Sequence, residues 1–247
     1  MSLSPSRSTA ADRATENGWQ PLRPKTLVDM VVDAVVAAAA RGLILPGDRI
    51  VESDVAQRLA VSRVPVREAL RLLESQGVVI NEPYKGIRLT PFTAERMDNL
   101  IEARVALETA AASRAIRDGH NGGAAIETLL GHVSELEAMA ARGDTSGFAN
   151  ADTNFHRALC ALSGNDVICN LWEGLARQAT IFFGLSALRK PMDEIIDEHR
   201  TLIAVFSSGD VEAMTLALDD HIRAQTHAVD FAAIIHARRA ERAASGG

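Results

Sequence analysis

The chain has 247 residues, 47% of them hydrophobic and 4% aromatic, with 26 Lys and Arg against 32 Asp and Glu for a formal net charge of −6. Such a chain is long enough for two domains, and its composition excludes collagen-like, disulfide-framework and highly charged disordered classes. The longest strongly apolar stretch, residues 31–40, is interrupted by Asp33 and falls short of the roughly 20 residues a bilayer span needs, so no membrane segment is expected.

Residues 1–20 are rich in Ser, Thr and Ala, include Asp12 and Glu16, and lack the apolar core of a secretory signal; a flexible tail over 1–22 is expected. Residues 25–40 then carry Leu27, Met30, Val31, Ala34, Val35 and Ala38 at helical spacings up to Gly42, which predicts a first helix with one buried face. After the Pro46-Gly47 turn a short helix is predicted over 52–59, and a second turn at Ala60-Val61 leads to a third helix ending near Gln76. Ser62 is positioned as its N-cap, Pro65 is tolerated in its first turn, and Gly77 can stop it in a left-handed conformation. Val78-Val79-Ile80, a turn around residues 83–86, and Ile87-Arg88-Leu89 read as a β-hairpin. Three helices and a hairpin over 23–92 make a winged helix-turn-helix.

Beyond Pro91 the β signals stop. Thr93 can cap a long helix, and breakers at 119–123, 143–147, Gly164-Asn165, Pro191 and Gly209-Asp210 divide the rest into an all-α bundle of six or seven helices over 93–237, with a flexible tail over 238–247. The chain is thus mainly α. Charge divides along the same line: residues 1–92 hold 12 basic and 10 acidic side chains, and residues 93–247 hold 14 and 22, so the halves do different work. Cys160 and Cys169 match neither a redox pair nor a zinc ribbon, which fits a reducing cytoplasm.

In the third helix Val66, Leu70 and Leu73 share one face, while Arg63, Arg67 and Arg71 repeat every four residues on another. Three arginines on an amphipathic helix can be simply its solvated side. They can also read DNA, because a guanidinium fork donates two hydrogen bonds to guanine O6 and N7 in the major groove. Residues early in a recognition helix reach base edges, which favours Arg63 and Arg67 over Arg71, assigned to backbone or solvent. Lys85-Gly86 at the hairpin tip offers a charge and a backbone open to close approach.

The run from Arg49-Ile50-Val51-Glu52 to Leu59-Ala60-Val61-Ser62-Arg63-Val64-Pro65-Val66-Arg67-Glu68-Ala69-Leu70, continuing to Gly77, resembles the N-terminal domain of GntR-family bacterial transcription regulators. The resemblance implies that Ser62 binds phosphate, that Arg63 and Arg67 contact bases, and that Lys85 and Gly86 form the wing tip. Ser53 departs from FadR-branch members that carry an operator-reading arginine there, so operator sequence does not transfer.

In the second half, Asp152 and His156 are one helical turn apart, a spacing that can chelate; with His199 and His221 they form a set suited to zinc, nickel or another divalent transition metal. An isolated Asp-x-x-x-His is weak by itself. His120, His132, His227 and His236 carry no assigned role. Residues 93–235 resemble the FCD domain, the helical ligand-binding module of the FadR branch, through Glu102-Ala103-Arg104, Leu107-Glu108, the Asp152/His156 pair leading to Gly164-Asn165, Glu198-His199-Arg200 and Asp220-His221-Ile222. That likeness implies a metal held by Asp152, His156, His199 and His221 inside the bundle, with Arg104 facing the same cavity. Without the likeness, Arg104 is equally an ordinary ion-pair residue. Asn165 is expected as a helix cap.

A non-enzymatic homodimeric transcription regulator follows, a repressor binding a pseudo-palindromic duplex operator, with a small carboxylate or sugar acid as effector at the metal pocket and dimer contacts in the helical half. Two alternatives remain: a metal-dependent hydrolase or lyase using the same Asp/His cluster, for which Glu198 is a poor base because it points about 100° from His199 around a helix, and a DNA-binding protein with a purely structural metal.

Overall fold

The computed structural model describes residues 26–186, 191–227 and 230–245. The first helix, α1 (Leu27–Ala40), starts at a capping box in which Thr26 and Asp29 satisfy each other's backbone amides. It is followed by α2 (Glu52–Leu59) and α3 (Arg63–Ser75), then by strands β1 (Val79–Glu82) and β2 (Gly86–Leu89), paired antiparallel with Val79 opposite Leu89 and Glu82 opposite Gly86. Ile50 donates its backbone N–H to Ile87, tying the α1–α2 connection to the hairpin. Val66, Leu70 and Leu73 of α3 pack with Val32, Val35, Leu45 and Leu89 in one apolar core. The expected winged helix-turn-helix is present.

The bundle comprises α4 (Ala94–Arg117), α5 (Ala124–Ala141), α6 (Thr145–Ala161), α7 (Asp166–Ser186), α8 (Met192–Ser208), α9 (Val211–His227) and α10 (Phe231–Ser245). Thr93 caps α4 by accepting from Arg96 N, and Asn165 caps α7 by accepting from the Val167 and Ile168 amides. Phe148, Phe155, Leu159, Leu202, Phe206 and Leu218 build the bundle's main core. No helix among the described residues is long and apolar enough to cross a membrane.

Several local expectations are corrected. Val31 and Val35 are buried as expected, but Leu27 and Met30 are about half exposed, and α1 also buries Val32, Val36, Ala39 and Ala40; a helix apolar nearly all round gives no unique face, and here α3 and α7 both pack on it. Ser62 occupies the N-cap position, but its hydroxyl caps nothing. Helix α10 runs to Ser245, through most of the segment 238–247 read as a tail, and Arg239 donates to the Pro46 carbonyl. The N-terminal tail, 1–22, lies outside the described residues.

The sequence boundary near residue 93 is not a boundary in the packing. Ile181 and Leu185 of α7 belong to the apolar core of the winged domain. At the end of α3, Gln178 Nε2 donates to the Gln76 carbonyl, Arg96 Nη2 donates to both the Gly77 carbonyl and Gln178 Oε1, and Arg177 donates to Gln76 Oε1.

Candidate nucleic-acid interface and metal centre

Burial of Val66, Ala69, Leu70 and Leu73 turns the opposite side of α3 outward, leaving Ser62, Arg63, Arg67 and Arg71 exposed. Arg67 donates from Nε and Nη2 to the Glu52 carboxylate at the start of α2, at 3.0–3.2 Å. That pairing raises the Arg67 pKa above its ordinary value. The hairpin carries Lys85, exposed and 3.1 Å from Glu82 Oε2, next to Gly86, whose φ of +78° suits a residue without Cβ. Tyr84 beside them is fully exposed at φ +64°, a left-handed conformation unusual for a bulky side chain. Sequence reasoning passed over Tyr84, because a lone tyrosine in a turn carries no periodic signal.

The four suspected metal ligands come from three helices and meet in the bundle. Asp152 and His156 stand one turn apart on α6, His199 on α8 and His221 on α9; all are buried. Each histidine offers a ring nitrogen, and these atoms lie within 4.8 Å of one another. His156 Nε2 is 3.3 Å from His221 Nε2, and His199 Nε2 is 3.3 Å from Asp152 Oδ1.

The protons on the far side of two rings are committed elsewhere. His156 Nδ1 lies 2.7 Å from Glu108 Oε2, and His199 Nδ1 lies 2.7 Å from the Ile195 carbonyl. An ionised carboxylate and a carbonyl only accept, so each Nδ1 donates, which leaves Nε2 as the ring atom turned toward the cluster. Asp152 Oδ2 and His199 Nε2 are buried without a hydrogen-bond partner. These buried imidazole and carboxylate atoms converge as a donor set that fits a divalent transition metal. Burial alone would raise the Asp152 pKa, but His199, His156 and Arg104 hold it below the usual carboxylate range.

Arg104 on α4 faces the same centre. Its Nε donates to Glu108 Oε1 at 2.9 Å, its guanidinium lies 4.6 Å from the Phe183 ring centroid, and its buried Nη2 has no partner. Glu108 is the group the sequence reading left without a role. It accepts from Arg104, His156 and Trp172 Nε1 while wholly buried. Burial pushes its pKa up, yet Arg104 and His156, reinforced by the hydrogen bonds, bring it down to about 2. Arg104 and Glu108 are four residues apart on one helix, a spacing that signals the ion pair, although nothing local signals His156 or Trp172. Glu198 also comes closer than its helical position suggests, with Oε2 4.0 Å from His221 Nδ1.

Comparison with known proteins gives the same division. Residues 27–89 match the family described as bacterial regulatory proteins, gntR family, and residues 99–224, just over half of the chain, match the FCD domain. A protein named as a probable D-xylose utilization operon transcriptional repressor from Paenarthrobacter nicotinovorans is 27% identical over 81% of this chain and 87% of its own length. The gluconate operon transcriptional repressor of Bacillus subtilis (strain 168) is 26% identical over 72% of this chain and 74% of its own. Among solved structures, E. coli McbR/YncC superposes with a TM-score of 0.68 at 20% identity, covering 87% of this chain and 99% of that one, which is a likeness of fold.

Proposed function

From the premise that the chain belongs to the gntR family of bacterial transcriptional regulators and carries its FCD domain, we propose that it is a cytoplasmic repressor whose operator affinity is set by a small carboxylate or sugar acid bound beside a metal. Arg63 and Arg67 read base edges, while Ser62, Lys85 and Gly86 meet phosphates. The free hydroxyl of Ser62, uncommitted to its own helix, supports the phosphate role. Two subunits related by a two-fold axis present their α3 helices to successive major grooves of a pseudo-palindromic duplex.

The observation that carries the effector reading is the pairing, in one buried centre, of converging metal-type donors with an unsatisfied guanidinium nitrogen on Arg104. Asp152, His156, His199 and His221 would hold the ion, zinc or nickel best matching their chemistry, and when bound it supplies a positive centre to which an anionic oxygen is drawn. Arg104 Nη2 supplies a second, directional attraction for the same anion. The relative named for gluconate supports a sugar acid as the effector class. Binding alters repression only if the ligand prefers one arrangement of the DNA-reading heads to another.

The hydrolase or lyase alternative is set aside, because the family and its relatives are transcriptional regulators rather than enzymes. Complete burial of His156 and His199 favours a second reading, a metal that only staples the bundle. One experiment separates these. Operator is selected from randomised duplexes, and its affinity is then measured with a panel of small carboxylates, with and without zinc or nickel, for the wild type, Arg104→Ala and His199→Ala. A carboxylate that changes operator affinity in the wild type and not in folded Arg104→Ala supports the sensor. Unchanged DNA affinity under every ligand, with His199→Ala merely less stable, leaves the staple. Absence of any preferred sequence under all conditions overturns the proposal.

A further inference from the structure

Arginine presents two parallel pairs of donors. One is the side edge, Nε with Nη2; the other is the end edge, Nη1 with Nη2. The Glu52 carboxylate occupies the side edge of Arg67: Nε lies 3.2 Å from both carboxylate oxygens, and Nη2 lies 3.0 Å from Oε2. Among the described residues Arg67 has no other partner, so the end edge faces outward on a side chain 52% exposed. A guanine takes two parallel N–H donors at O6 and N7, and the end edge supplies them while the side edge remains on Glu52.

We infer that Glu52 is a specificity-determining positioning residue that holds Arg67 with its end edge aimed at a guanine. The inference rests on the reading of Arg67 as a base reader and adds to it the residue that aims it. Glu52 suits this task because it is the first residue of α2 and reaches α3 across a sequence separation of 15. The start of a helix also favours its negative charge. Arg63 and Arg71, on the same exposed side of α3, form no ion pair among the described residues, so Arg67 alone of the three is held in advance of contact with DNA. A carboxylate so close to a phosphate-lined groove costs affinity for duplex of any sequence. It is therefore matched to selectivity rather than to general adhesion.

The test uses the full-length protein and the operator from unbiased selection, with wild type, Glu52→Gln, Arg67→Ala and the double variant compared on operator, on operator changed at the Arg67-dependent guanine, and on random duplex. Glutamine keeps the size and one acceptor but loses the two-oxygen grip. Glu52→Gln is expected to lower discrimination for that guanine by roughly three- to tenfold, the scale of pre-ordering one long side chain, while binding random duplex no more weakly than wild type. In the Arg67→Ala background the same substitution should change discrimination by nothing, with helix content and melting unchanged throughout. If Glu52→Gln keeps full guanine discrimination while Arg67→Ala loses it, the aiming role is wrong and Arg67 still reads the base. If Arg67→Ala weakens operator and random duplex equally, base reading by Arg67 fails and this inference falls with it.

Discussion

At the scale of single residues, Glu108 shows how a carboxylate can be wholly buried and still ionised. It accepts from Arg104, His156 and Trp172, so its desolvation is offset by a guanidinium and two ring N–H donors. Replacing it with glutamine removes the carboxylate paired with the buried Arg104 and sets an amide N–H2 against at least one of the groups that donate to Glu108. Glu108→Gln should therefore cost about 3–5 kcal/mol of stability, read by urea unfolding, and should lower metal affinity roughly 10–100-fold, read by competition with a chromophoric chelator, because the carboxylate fixes the His156 ring. Its folded pKa of about 2 lies below the ordinary value of 4.5, so its contribution is full above the ordinary value and is lost as pH falls toward the folded one. An acid titration of metal-free protein should show that loss in the wild type and not in the glutamine variant. The Asp152/His156 pair is visible in sequence because its spacing is one turn of one helix. The contacts of Glu108 with His156 and Trp172 span 48 and 64 residues, and no local pattern reports them.

At the scale of the element, α7 serves two cores at once. Phe183 lies against His156 and Arg104 in the bundle, whereas Ile181 and Leu185 enter the winged domain, and Gly184 sits against α1. A Cβ on Gly184 would come within 2.5 Å of Ala40 Cβ and 2.7 Å of the Ala40 carbonyl oxygen, a contact that backbone cannot relieve cheaply. Gly184→Ala should thus destabilise by about 1–3 kcal/mol. Gly174 on the same helix has nothing within 4 Å of its would-be Cβ, so Gly174→Ala should stabilise by about 0.5–1 kcal/mol through helix propensity alone. Equilibrium unfolding of the two variants should give shifts of opposite sign; equal shifts would mean that α7 does not pack tightly on α1. Helix boundaries in this half were legible because Gly, Pro and Asn mark them, as at Gly164-Asn165 and Pro191. Which side of a helix faces which partner was not. Helices apolar on several sides, such as α1 and α7, fit more than one neighbour, and Leu27 and Met30 were placed inside for that reason.

At the scale of the whole molecule, the split in charge and in secondary structure near residue 93 was plain in the sequence, but the joint between the halves was not, because it is made by apolar and polar contacts between distant segments. The end of α3 is held from the bundle: Gln178 donates to the Gln76 carbonyl across 102 residues, and Arg96 bonds both Gly77 and Gln178. Helix α7 therefore carries, within two turns, Phe183 beside the candidate metal centre and Gln178 on the end of α3. On the proposed reading, a shift of α7 caused by an anion near Arg104 reaches α3 through Gln178 and through the Arg177 bond to Gln76, and without Gln178 the Arg177 bond and the apolar packing remain. Gln178→Ala leaves the candidate metal and effector groups untouched, so under the proposed function an effector should raise the melting temperature of the variant and of the wild type alike. Its effect on operator affinity should shrink by about 0.5–2 kcal/mol of coupling free energy. Operator titrations with and without saturating effector, run on both proteins at one salt concentration, measure that difference. Full coupling in Gln178→Ala would move the signal path to the Arg177 bond with Gln76, to the contact of Arg239 with Pro46, or to a change in the arrangement of two subunits.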